Sequence, residues 1–212
     1  MAERFRLLNE KDDCGYSIAH SDADRIFQNI FASEIHEIIG ILLIVLVAIH
    51  LALNRNYLKT VNKGKYNSRR KALLIVNVCF FISFGITCLF GILSSHYALP
   101  FLNIRNLTVI SYHKILAYVT LILLAIHLGF NLEKMFKKID RKAIHLIELA
   151  IIILGAYSFI QVDFYNHLTG NLGFSLSTGN VFMNILEYLC IILMITVLTR
   201  LTLSIILKKE KN

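Results

Sequence analysis

Charge is scarce in this chain and proline nearly absent: 17% of the 212 residues are charged, one is proline, and 56% are hydrophobic. With a mean hydropathy of +0.62, there is too little polar surface for a soluble domain of this length. The ten-residue segments of alternating polarity that mark a spanning β-barrel are missing too. The four cysteines, Cys14, Cys79, Cys88 and Cys190, form no C-x-x-C or C-x-x-C-H motif. That removes disulfide frameworks, zinc ribbons and covalent haem attachment. Three of the four lie in apolar runs, where cysteine is expected to act as a small buried hydrophobe. No Rossmann glycine fingerprint occurs, so direct hydride transfer from a nicotinamide is excluded. No run within residues 1–33 is apolar enough for a signal peptide.

What the chain does have is long apolar runs. Five reach or approach the ~20 residues needed to cross a bilayer, at about 35–54, 72–94, 108–130, 143–162 and 184–206. The expected fold is an all-α, polytopic membrane bundle. Residues 1–33 form an extramembrane segment, with a short amphipathic helix expected at 21–31. Residues 34–207 form the membrane domain and 208–212 a tail. The net charge of +8 is unevenly placed. Arg55, Lys59, Lys63, Lys65, Arg69, Arg70 and Lys71 follow span one, and Lys134, Lys137, Lys138, Arg141 and Lys142 follow span three. The loop before span three has only Arg105, and 163–183 has no basic residue. This is the positive-inside pattern, with the basic loops and C-terminus in the cytoplasm and a plasma (inner) membrane location. It accounts for the basic charge without a nucleic-acid partner.

Two of the spans carry the same device. HEIIGILLIVLVAIH runs from His36 to His50, and HKILAYVTLILLAIH from His113 to His127. Aligned, they share Ile38/Ile115, Leu46/Leu123, the Ala-Ile-His-Leu at 48–51 and 125–128, and Asn54/Asn131 four residues further on. Fourteen helical steps of roughly 100° bring each pair of histidines within ~40° of one face, about 21 Å apart along the axis. One antiparallel span separates the two, so they run in the same direction. His36 and His113 then share the outer level, and His50 and His127 the inner one. Arg70-Lys71-Ala72 and Arg141-Lys142-Ala143 precede spans two and four, which extends the repeat to helical hairpins with span five appended.

Intramembrane ionisable residues face the interior and mark function. Two imidazoles facing each other across a bundle are the axial set of a b-type haem. Zinc wants three or four ligands, and neither level has an evident carboxylate or thiolate to complete a tetrahedron. Glu37, the nearest, sits ~100° round the helix from His36. A proton or metal relay is the third possibility, though it does not require two identical spacings. Gly40 lies on the face of His36, where a glycine admits either a planar group or a closely packed helix.

Paired His-x13-His spans resemble the dihaem core of cytochrome b. HEIIG…HLALN, the basic loop, YHKILAY…HLG, AYSF and FYNHL…LEYL together resemble the flavinylation-associated cytochrome family of bacterial membrane proteins, over roughly residues 33–207. The resemblance implies two haems b, ligated by His36 with His113 and by His50 with His127. It further implies that electrons cross the membrane to a flavoprotein on the outer face. The acidic segment 1–32 departs from the family pattern, where another hydrophobic helix is expected.

Secondary candidates surround this core. Arg105 and Lys114 are placed to neutralise the propionates of an outer haem, with Asn54, Arg55 and Asn131 near the inner one; each basic residue is equally readable as an interfacial charge. His96 sits at the outer level without a repeat partner, as a candidate for electron exit or a quinone site. Glu148 in span four is a candidate for a quinone-linked proton step or a helix-end acid near Lys142. Ser177-Thr178-Gly179-Asn180 lacks the sequence expected after the glycine of a flavin attachment site and is assigned no flavin. His20 and His145 read as surface or interface residues. The expected function is transmembrane electron transfer, with lipid and an outer redox protein as partners. The alternatives are a quinone or ferric reductase with its own substrate site, and a non-redox transporter or scaffold.

Overall fold

The computed structural model describes residues 33–61, 63–64, 67–104, 106–132, 141–171 and 181–209. The expected helix at 21–31, His20, Arg105 and the 177–180 run lie outside them. Among the described residues, helix is the one kind of regular secondary structure. The helices are α1 (Ser33–Leu53), α2 (Arg55–Thr60), α3 (Ser68–Leu93), α4 (Leu107–Leu132), α5 (Arg141–Gln161), α6 (Phe164–Thr169) and α7 (Val181–Lys209). Helices α1, α3, α4 and α7 are long and apolar enough to cross a membrane, and α5 contributes a shorter apolar stretch, His145–Gln161. The protein is a multi-pass helical membrane protein.

The helix ends follow local chemistry more closely than hydropathy does. α3 begins about a turn before its apolar run, because the Asn67 side chain accepts a hydrogen bond from the Arg70 backbone N–H (2.9 Å) and caps the polar first turn. After α5 the chain reverses at Asp163, a non-glycine residue with φ 50°, and the Asn166 amide bonds its carboxylate. The segment after span four is thus not all loop, since α6 folds back and buries Phe164.

The packing is inverted relative to a soluble protein. Large apolar side chains cover the outside, with Leu53 at 79% and Ile160 at 76% exposure. The buried interior mixes Ala125, Ile191 and Phe164 with Ser83, Thr120, Ser158 and Thr196. Cys79 is on the exposed surface of α3, and Cys88 and Cys190 are half-buried, so the fully buried setting expected for them is not found. Without a hydrophobic drive between helices in lipid, small residues and hydroxyls do the joining. The Ser83 and Thr120 hydroxyls bond at 2.7 Å between α3 and α4, and Thr196 on α7 donates to the Ala125 carbonyl on α4 (3.0 Å). α3 packs on α4, α4 on α7, and α7 on α5. The last span therefore lies between α4 and α5.

Glycine sets the two α7 contacts. A Cβ at Gly129 would stand 2.6 Å from Thr199 Cβ. One at Gly155 would collide with the Met194 side chain and lie 2.7 Å from the Cys190 carbonyl oxygen. Gly155→Ala is expected to pry α5 from α7 at a cost of about 1–3 kcal/mol, read as a lower midpoint of thermal unfolding in detergent. An unchanged midpoint would show that this contact is loose.

Candidate functional site

Of the repeat histidines, His36 meets His113. The His36 and His113 ring centroids are 6.1 Å apart, with planes inclined at 75°. His50 lies within electrostatic reach of His127. α1 and α4 therefore run parallel, with two histidine levels along them. Metal–imidazole bonds of about 2.0–2.1 Å set two rings that share one metal at centroid separations of about 6 Å. The His36/His113 pair meets that requirement.

Both α4 histidines have their second nitrogen fixed by α3. His113 Nδ1 lies 2.9 Å from the Thr87 carbonyl oxygen. A carbonyl only accepts, so Nδ1 carries the proton and Nε2 keeps its lone pair. Gly91, one turn on from Thr87, makes room, since a Cβ there would stand 2.9 Å from His113 Cε1. At the other level His127 Nδ1 lies 2.8 Å from Asn77 Oδ1, and its ring stacks on Phe80 at 5.8 Å. Ligating histidines characteristically place their second N–H on such an acceptor.

The matched asparagines share a local role. Asn54 Nδ2 donates to the His50 carbonyl and Asn131 Nδ2 to the His127 carbonyl, each at 2.8 Å. Arg55 opens α2 just beyond, exposed, and Lys114 follows His113, also exposed. Among the described residues nothing comes within 4 Å of a Cβ built on Gly40, so no helix of the bundle packs against that point. Beside the His127 level, an open cavity of about 250 Å3 is lined by Asn67, Arg69, Arg70, Leu73, Phe130 and Asn131.

Glu37 has a different role from the metal ligand weighed above. Its carboxylate accepts from the Ser95 hydroxyl (2.7 Å) and from the backbone N–H groups of His96, Tyr97 and Ala98 (2.8–3.0 Å). Such a concavity of successive N–H groups is an anion nest, and it ties α1 to the loop after α3. Among the described residues no other tie of this kind is seen along α1, none of whose residues is buried. His96 is exposed, with Asn103 Nδ2 at 3.1 Å from its Nδ1.

Three further groupings have no period or motif to announce them. Tyr118 on α4 bonds Tyr188 on α7 through their hydroxyls (2.8 Å), and His167 on α6 stacks flat on Tyr118 at 5.0 Å. Burial pushes His167 below the ordinary imidazole range, against the pull of Asp163. Glu148, buried on α5, pairs with Arg200 of α7 and accepts from exposed His145 (3.1 Å). Asn77 is the third. Its only signal in the sequence is an amide in the apolar run LIVNVCFF.

Among the described residues no group of three or more His, Cys, Asp or Glu stands ready to hold a metal ion. A centre at either level would therefore have two protein ligands and draw the rest of its coordination from a cofactor. Comparison with protein-family models, curated proteins and solved structures finds no match to this chain.

Proposed function

We propose that this protein carries electrons across a membrane through two b-type haems, one held by His36 and His113 and the other by His50 and His127. The 6.1 Å separation of His36 and His113 is the observation that carries the reading. Two histidines would suffice to hold a porphyrin-bound iron, which would bring the rest of its ligands with it, whereas a bare metal at either level would lack them. When bound, haem supplies the one-electron chemistry.

The chain's own residues do the rest. The Thr87 carbonyl and the Asn77 amide oxygen accept from Nδ1–H of the α4 histidines, so Nε2 is the nitrogen that would meet the iron, at His127 in place of the Asn131 N–H that faces it in this structure. Glu37 keeps α1, and with it His36, against the bundle. The open space at Gly40 accommodates a flat group beside α1. The basic loops orient the His50/His127 level toward the cytoplasm of a bacterial plasma membrane. The partner is an outer flavoprotein, which fits a chain with no nucleotide-binding fingerprint of its own.

Purified protein should show a Soret band and, by pyridine haemochrome assay, two non-covalent haems per chain, both low-spin. Reduced vesicles should then pass electrons to an external flavin acceptor. One haem or none would remove the dihaem reading. Two haems without transfer would favour a reductase with its own substrate site.

A further inference from the structure

α3 carries no histidine, yet it touches both histidines of α4, and it does so differently at the two levels. At His113 the acceptor is a backbone carbonyl, that of Thr87. At His127 it is a side chain, Asn77. The chain of hydrogen bonds around His127 can be assigned from one end. Asn131 Nδ2 lies 2.8 Å from the His127 backbone carbonyl, which only accepts, so this amide points its N–H groups at the histidine. Its second N–H faces His127 Nε2 at 3.2 Å. Nε2 is then the nitrogen with the lone pair, and Nδ1 bears the proton. Asn77 must therefore present its oxygen to Nδ1, and its Nδ2 donates to the Tyr57 hydroxyl at 3.1 Å. Tyr57 belongs to α2, directly after the helix that carries His50. A continuous chain thus runs from His127 through Asn77 to Tyr57, tying the partner histidine's strand of sequence to the second nitrogen of His127.

We infer that Asn77 is a positioning residue that sets the redox potential of the His50/His127 centre alone, with Tyr57 holding its amide in the orientation this requires. The inference rests on the dihaem reading. The acceptor on Nδ1–H governs how much electron density an axial imidazole gives its metal, and second-shell partners of this kind tune potential. Because Thr87 offers a backbone oxygen and Asn77 a side chain, this control is open to side-chain change at one level and closed at the other. The same haem in the same bundle thereby acquires two different settings.

Redox titration of the full-length, haem-loaded protein tests this with Asn77→Asp, Asn77→Leu and Tyr57→Phe. Aspartate keeps the shape and puts a charged acceptor on Nδ1–H. It should lower one of the two midpoint potentials and leave the other where it was. Leucine removes the acceptor, and should raise that same potential or release that haem alone. Tyr57→Phe should move the same component by less. Two haems with both potentials unmoved in Asn77→Asp and Asn77→Leu would overturn the inference, as would both potentials moving together. Parent protein that binds no haem would instead overturn the reading on which it rests.

Discussion

On the dihaem proposal, replacing His36 or His113 by alanine should remove one of two low-spin haem signals from the purified protein, and replacing His50 or His127 should remove the other. Each single variant should retain about one haem per chain by pyridine haemochrome assay. The expectation follows from helix geometry. His36 stands beside His113, and fourteen residues at about 1.5 Å each carry α1 and α4 some ~21 Å to the second level. Two centres that far apart do not share a ligand. The order of the losses is the informative part. If His36→Ala and His50→Ala abolish the same spectral component, the pairing across α1 and α4 is wrong. In vesicles, His36→Ala should also block transfer to an external flavin acceptor while leaving the other haem reducible.

The second large effect is on stability, away from the histidines. Among the described residues, Arg200→Leu leaves Glu148 buried on α5 with exposed His145 as its remaining ion-pair partner. Breaking a buried ion pair from one side costs about 3–5 kcal/mol, because the remaining charge has lost its compensation. The variant should unfold well below the parent in detergent and accumulate poorly in membranes. Glu148→Leu combined with Arg200→Leu should recover most of the loss, since an apolar pair of similar volume is close to neutral in such a place. A double variant no better than Arg200→Leu would mean that the pair does more than balance charge. The haem spectrum of the double variant should match the parent, because α5 carries none of the repeat histidines.

The spans and the histidine levels were both readable in the sequence, for the same reason. Each depends on distance along one helix, and hydropathy and the 3.6-residue period report that directly. The Asn54/Asn131 match was visible as a repeat, while its meaning, an amide on the carbonyl four residues back, needed coordinates. What escaped is what depends on a neighbour. The role of Glu37 is invisible in the sequence because the loop that receives it, 95–98, carries no mark of a binding role beyond its serine. Nothing in the sequence links Arg200 to Glu148, because their pairing depends on α7 lying beside α5. The helix after Asp163 leaves no trace in the sequence because six helical residues are too few to set up a period, and tertiary burial of Phe164 holds them instead.

The position of α7 has a consequence in time as well as space. A ribosome delivers α4 and α5 before it delivers the helix that lies between them. α5 therefore reaches the membrane with its main neighbour still unmade, and Glu148 waits there for a cation encoded far downstream. Beyond the α3–α4 pair, the bundle cannot close as consecutive hairpins emerge. It closes backward, when α7 slides between two helices already in place and Gly129 and Gly155 let it approach them. Translation halted ahead of α7 would strand α5 in lipid with its charge, which makes the late arrival of that helix the commitment point of the whole assembly.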